Sequence, residues 1–264
     1  MDVLILCAGY GTRLAPLTDR IPKPLVQVSD KLSIEHQLEA ISSLDPQNVW
    51  VNAHHLADKV RAFVDECELI NDCFIEEEIL GTGGPLKRAL DEKNCDDLLV
   101  INGDVFHDLD LDSFIEASRQ SGKEFSLLMM DNKLVNSVGI RNNEIISIKG
   151  VYGEENEVDS LKTFTGISWY SKNALKKLKA EHFSIVKFWK DEYLLENYPF
   201  AQEQKATWID IGTPQGLWDA SQARWIELGG NASYNWIQLE TKSPAPKDEG
   251  PGLYGRDFQW KIEA

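Results

Sequence analysis

Short apolar runs alternate with amphipathic stretches through the first 130 residues. Val3-Leu4-Ile5-Leu6-Cys7-Ala8 runs straight into a glycine cluster, and its length and branched content suit a buried parallel strand rather than a helix. Similar runs recur at Val49-Trp50-Val51-Asn52, Cys73-Phe74-Ile75, Leu98-Leu99-Val100-Ile101 and Phe125-Ser126-Leu127-Leu128-Met129. Helical spacing separates them near 33–43, 56–66, 85–91 and 111–121. Strand and helix in alternation predict an α/β fold with a mostly parallel central sheet and the first run at its centre. After Asp131 the rhythm changes. Val138-Gly139-Ile140 and Glu144 to Ile148 flank Arg141-Asn142-Asn143 as a hairpin, and an extended run covers 163–170. Residues 187–197 read as helix and Thr207-Trp208-Ile209 as extended. Thr213-Pro214 reads as an N-cap and first turn of a helix that reaches Leu228 and stops at Gly229-Gly230.

The last 34 residues, 231–264, differ in kind: proline- and glycine-rich, with aromatics at Tyr234, Trp236, Tyr254, Phe258 and Trp260. They are expected to form an irregular extension to a 1–230 domain, packing back on it or building a contact between copies of the chain. No internal repeat is evident.

The 264 residues carry 27 basic and 43 acidic side chains, a formal net charge of −16. That opposes nucleic-acid binding. No apolar run approaches the ~20 residues of a membrane span and the start lacks a charged leader, which predicts a cytoplasmic protein without membrane contact. Cys7, Cys67, Cys73 and Cys95 form no CxxC and are expected as reduced, mostly buried thiols.

The chemistry concentrates after the first strand. Gly9-Tyr10-Gly11-Thr12-Arg13-Leu14 lets backbone N–H groups approach a phosphate without a Cβ in the way. A dinucleotide fingerprint would need glycine where Leu14 stands, which argues against a nicotinamide oxidoreductase. Pro22-Lys23-Pro24-Leu25 follows; its prolines are expected to hold the segment extended and to project Lys23. Arg13 offers a planar fork and Lys23 a point charge, a pairing suited to gripping polyphosphate.

Together these two segments resemble the signature of the sugar-nucleotide pyrophosphorylases, over residues 3 to about 228. The likeness is strongest to the short N-acetylmuramate 1-phosphate uridylyltransferase and mannose-1-phosphate guanylyltransferase types. The resemblance implies a Rossmann-like three-layer nucleotidyltransferase fold without a β-helix domain. It also implies transfer of a nucleotidyl group from an NTP, with UTP favoured, to a sugar 1-phosphate. It assigns catalysis to Arg13 and Lys23, nucleotide contacts to Ala8, Gly9, Gly11, Thr12, Arg13, Lys23, Glu76, Gly81 and Asn102, and sugar-phosphate contacts to Gly139, Lys149, Thr165 and Gly166. Mg²⁺ would sit on Asp104, in Asn102-Gly103-Asp104, and on Asp210, in Trp208-Ile209-Asp210-Ile211-Gly212. The family's Glu-Lys-Pro appears here as Ile148-Lys149-Gly150, so the glutamate that often holds sugar hydroxyls is missing.

Other groupings are weaker. Asp108, Asp110 and Asp112 lack the glycine and terminal glutamate of a calcium loop and read as a helix cap, while adjacent His54 and His55 lack helical zinc spacing. One alternative is a choline-phosphate cytidylyltransferase with a cation cage of Trp169, Tyr170 and Trp189; another is a nucleotide-sugar sensor without catalysis.

Overall fold

The computed structural model describes residues 1–133, 135–179 and 184–230. The expected 231–264 extension, and its suggested role in self-association, lie outside the described residues.

In chain order the elements are β1 (Asp2–Leu6), β2 (Gln27–Val28), β3 (Lys31–Leu32), α1 (Ser33–Ala40), β4 (Asn48–Ala53), α2 (Ala57–Glu66), β5 (Asp72–Ile75), α3 (Gly84–Lys93), β6 (Asp97–Asn102), β7 (Val105–His107), α4 (Leu111–Gln120) and β8 (Phe125–Met130). The hairpin β9 (Val138–Arg141) and β10 (Glu144–Ile148) follows, then β11 (Ser160–Ser171), α5 (Lys172–Lys177), α6 (Ile185–Leu194), β12 (Phe200–Glu203), β13 (Trp208–Asp210) and α7 (Pro214–Glu227).

Nine strands form one sheet in the order β5-β4-β1-β6-β11-β8-β12-β10-β9. β1 is interior, parallel to β4 and β6. Only β11 and β10 oppose the common direction. Alternate side chains of β1 enter opposite cores, because successive strand residues point to opposite faces. Val3 and Ile5 pack with Ile34, Val60 and Phe114 of α1, α2 and α4, whereas Leu4 packs with Leu86, Leu175 and Phe188 of α3, α5 and α6. This is the three-layer arrangement, and among the described residues no β-helix follows it.

The predicted helix after Thr213 is α7: Thr213 caps it by accepting from Gly216 N–H, with Pro214 in the first turn. Asp110 likewise caps α4, its carboxylate accepting from Ser113 N–H at 2.9 Å, which accounts for one member of the acidic group without a metal. Cys7, Cys73 and Cys95 are buried free thiols. Burial pushes the Cys73 and Cys95 thiols up to about 11 and about 12 and raises Cys7 as well, which keeps them protonated and inert. Among the described residues no helix is long and apolar enough to cross a membrane.

Two features position the site. β7 and β13 form a separate antiparallel ladder, with Asp210 opposite Val105 and Ile209 opposite Phe106. The third core, Val28, Phe106, Ile211 and Ala220, fixes that ladder against β2 and α7.

Candidate active site

At the carboxyl end of β1 the chain turns sharply. Gly11 adopts a left-handed conformation, φ 65°, ahead of a short 3-10 turn, Thr12–Leu14. A Cβ there would fall 2.8 Å from Thr18 Cγ2, so the position requires glycine on both counts. At Gly9 a Cβ would meet nothing within 4 Å, so that backbone is open to an approaching ligand. Leu14, where a dinucleotide fold would need glycine, is instead a buried anchor.

Pro22 is extended as expected, but Lys23–Leu25 is a single 3-10 turn rather than an extended segment. The turn has a simple cause. The N–H that Pro24 lacks is not needed near the start of such a turn, and Leu25 and Val26 donate to the Pro22 and Lys23 carbonyls at 2.8 and 3.1 Å. Lys23 is thereby driven inward and is only 7% exposed. Its ammonium donates to Asp104 and lies 4.0 Å from Asp210 Oδ1. Arg13 remains largely exposed and reaches Asp210 Oδ2 through Nη2 at 3.2 Å.

The two carboxylates meet because of the β7–β13 ladder. Gly103 follows β6, donates to Leu6 O at 2.9 Å, and leaves no room for a Cβ, which would fall 2.9 Å from that same oxygen. Asp104 emerges next, its carbonyl accepting from Ile211 N–H at 3.1 Å, which sets Asp210 beside it. Gly212 then passes so close to the charged group that a Cβ would fall 2.6 Å from Lys23 Nζ and 2.7 Å from Asp210 Oδ1, and would also strike Arg13. Gly212 was not among the expected site residues; its signal was a glycine between an acid and a helix cap. Trp208 was missed too. Its indole donates to Thr165 O at 2.7 Å and ties β13 to β11.

Four expected residues, Arg13, Lys23, Asp104 and Asp210, therefore converge. Asn102 and Gly166 also meet: Gly166 sits at φ 85° in a bulge of β11, and a Cβ on it would be 2.7 Å from Asn102 Nδ2. Glu76 is buried behind the adjoining loop, its carboxylate accepting from Asn52 and from Leu80 N–H at 2.8 and 2.9 Å. It thus fixes the start of the loop carrying Gly81, which turns at φ 64°. Ala8 is buried between β1 and the glycine turn.

The sugar-side set is less gathered. The Thr165 hydroxyl donates to Leu128 O at 2.8 Å, facing the core. A Cβ on Gly139 would strike Ser147 and Val158, so its glycine is required by hairpin packing. Lys149 lies on an exposed turn with its N–H donating to Ser137 O at 2.9 Å, and Gly150 there takes φ 73°, which proline cannot adopt. The aromatic cage fails. Trp169, Tyr170 and Trp189 are buried, and the Trp189 indole donates to the Tyr170 hydroxyl at 3.0 Å.

Residues 2–144 match the family model described as nucleotidyl transferase. The catalytic subunit beta of mannose-1-phosphate guanylyltransferase from Xenopus tropicalis is 31% identical over 97% of this chain and 70% of its own length. Mannose-1-phosphate guanylyltransferase 1 of Arabidopsis thaliana is 27% identical over the same shares. Among solved structures, HddC from Yersinia pseudotuberculosis complexed with GMP-PN is 28% identical, with a TM-score of 0.67, and covers 84% of this chain and 99% of its own. A putative glucose-1-phosphate thymidylyltransferase from Bacillus anthracis, at 22% identity and a TM-score of 0.71, shares the fold over 90% of this chain. Of the two types the sequence resembles, the mannose-1-phosphate guanylyltransferases are the ones found among these relatives, so the preference for UTP is not supported.

Proposed function

Since the chain belongs to the nucleotidyl transferase family and is a sugar-1-phosphate nucleotidyltransferase, we propose that its substrates are GTP and mannose 1-phosphate or a closely similar hexose 1-phosphate. The guanylyltransferase relatives support the base and the sugar. The observation that carries the chemistry is the meeting of Asp104, Asp210, Lys23 and Arg13 beside the Gly9–Gly11 turn.

An oxygen of the sugar phosphate attacks the α-phosphorus as the bond from that phosphorus to the oxygen bridging the β-phosphorus breaks, and pyrophosphate leaves with the bonding pair. A phosphate monoester has its second pKa near ~6, so the nucleophile is already ionised at neutral pH and no general base is needed. Backbone N–H groups of the glycine turn position the triphosphate. Lys23 and Arg13 neutralise charge building on its oxygens. Lys23 meets Asp104 and Arg13 meets Asp210, so the same cations that would grip the phosphates are oriented by the carboxylates beside them.

The donor set fits Mg²⁺. Asp104 and Asp210 supply hard carboxylate oxygens, and their side chains are 33% and 38% exposed rather than sealed. Among the described residues no cluster of three metal-binding groups exists, so phosphate oxygens would complete the coordination. When bound, the ion supplies Lewis-acid polarisation of the phosphate oxygens.

The test is a comparison of kcat/KM for GTP and UTP with mannose 1-phosphate saturating. GTP should lead by about tenfold or more, the worth of one or two base contacts. Equal values would overturn the base assignment.

A further inference from the structure

His54 and His55, which follow β4, sit against the phosphate-binding turn. Each ring points a nitrogen at a backbone carbonyl: His54 Nδ1 at Glu76 O, 2.9 Å, and His55 Nε2 at Thr18 O, 2.7 Å. A carbonyl can only accept, so those nitrogens carry the protons. In neutral His54 the other nitrogen, Nε2, is then a bare acceptor, and the Tyr10 hydroxyl lies 3.2 Å from it. Thr18, held by His55, donates its hydroxyl to Gly11 O at 2.8 Å and presses its methyl toward Gly11. Both flanks of the turn are thus tethered to one histidine pair.

The Tyr10 arrangement is not one the core requires. A tyrosine normally packs its ring and offers its hydroxyl to water. Here the residue is 52% exposed, yet its hydroxyl is turned to His54, with the two rings edge to face at 5.5 Å. Beyond His54 the path continues. Glu76, whose carbonyl accepts from His54 Nδ1–H, holds Leu80 N–H through its carboxylate, and through Asn52 it reaches Cys7 N–H at the end of β1.

We propose that His54 is a positioning residue for the phosphate-binding turn, and that the chain Tyr10–His54–Glu76 sets this turn relative to the loop beginning at Leu80. The inference rests on the proposed function, because it is the nucleoside triphosphate that needs the two loops in register. Catalytic contacts belong to Arg13, Lys23 and the carboxylates. His54 acts on binding through the turn and loop it holds and does not itself touch the ligand.

The test uses the full chain with Tyr10→Phe, His54→Ala, the double variant and His54→Gln. The readouts are the dissociation constant of GTP with Mg²⁺ by calorimetry, steady-state constants, and thermal melting. Tyr10→Phe and His54→Ala should each weaken GTP about fivefold, the worth of one ordinary hydrogen bond. The double variant should be no weaker than the worse single one, since both remove the same link. His54→Gln, whose longer amide offers an oxygen to Tyr10, should recover at least half of the loss. KM for the sugar 1-phosphate should not move, and melting should stay within about 2 °C. Unchanged GTP affinity in both single variants, or fully additive losses, would overturn the inference. A parallel fall of melting temperature and kcat with the GTP affinity intact would reduce the contacts to ordinary scaffolding. A wild-type chain that binds none of the four nucleoside triphosphates would overturn the functional reading along with this one, whereas an active wild type with indifferent variants would overturn this one alone.

Discussion

Lys23→Met separates the chemistry of the site from its stability. Methionine keeps the unbranched stem and fits the volume that leaves Lys23 only 7% exposed, while removing the ammonium that meets Asp104 and stands 4.0 Å from Asp210. Both carboxylates are a third or more exposed, so water screens the repulsion left between them. The pair contributes on the order of 1 kcal/mol at most, and deleting a nearly buried ammonium removes its desolvation cost in return. For a chain of this size that is a melting shift of roughly 2–4 °C or less. Catalysis should suffer far more. A preorganised donor aimed at developing phosphate charge is worth about 3–4 kcal/mol, so kcat/KM should fall by about 10²–10³. The assay is the initial rate of pyrophosphate release, paired with calorimetric melting of the same preparations. A kcat/KM within threefold of wild type would refute the role of Lys23, and a melting loss above about 10 °C would show that the ammonium serves the fold.

Asp104→Asn should abolish most turnover and flatten the dependence of the rate on Mg²⁺ while the protein melts normally; full activity would remove Asp104 from the metal set. Gly212→Ala should lower kcat/KM by at least about tenfold with an intact fold, because its Cβ falls 2.6 Å from Lys23 Nζ and one of the charged groups must move; wild-type kinetics would disprove the crowding. Thr213→Ala removes the α7 cap, at a cost of about 1 kcal/mol read as a lower urea midpoint. His107 gives a pH signature. Burial holds its pKa down to about 4 from an ordinary 6.5, so the unfolded chain takes up the proton first and stability is lost as pH falls from about 6.5 toward 4. By pH 5 this should amount to roughly 2 kcal/mol, about 1.5 pH units at ~1.4 kcal/mol each, and His107→Gln should flatten that part of the urea midpoint profile; an unaltered slope would contradict the assignment.

All strands of the central sheet except Phe200–Glu203 were legible because each is an apolar run bounded by glycine or polar residues, as at Val3–Leu6 and Leu98–Ile101, and the hairpin declared itself through Asn142-Asn143. Thr213-Pro214 announced α7 by its capping chemistry alone. Val105–His107 and Phe200–Glu203 left no such trace. Each is three or four residues long, paired with a strand distant in the chain, and its extended state comes from that partner rather than from local pattern. That blind spot mattered for the site. Asp104 and Asp210 are 106 positions apart in sequence, and the residues alone gave no reason to join them; the resemblance did, and the β7–β13 ladder supplies the physical cause. Lys23 shows the converse error, in which proline rules valid for an α-helix were applied to a segment that needed only one 3-10 turn.

If Arg13, Lys23, Asp104 and Asp210 serve nucleotidyl transfer to a sugar 1-phosphate, pyrophosphate release will report it, measured across the four nucleoside triphosphates and a panel of sugar 1-phosphates, with and without Mg²⁺, each product identified by mass. Release should require both substrates and the metal, be strongest for GTP with mannose 1-phosphate or a close relative, and be matched by an equal yield of the nucleoside diphosphate sugar. Silence across the whole matrix, from a folded protein that still binds nucleotide sugars tightly, would contradict this role and leave a sensor in place of an enzyme.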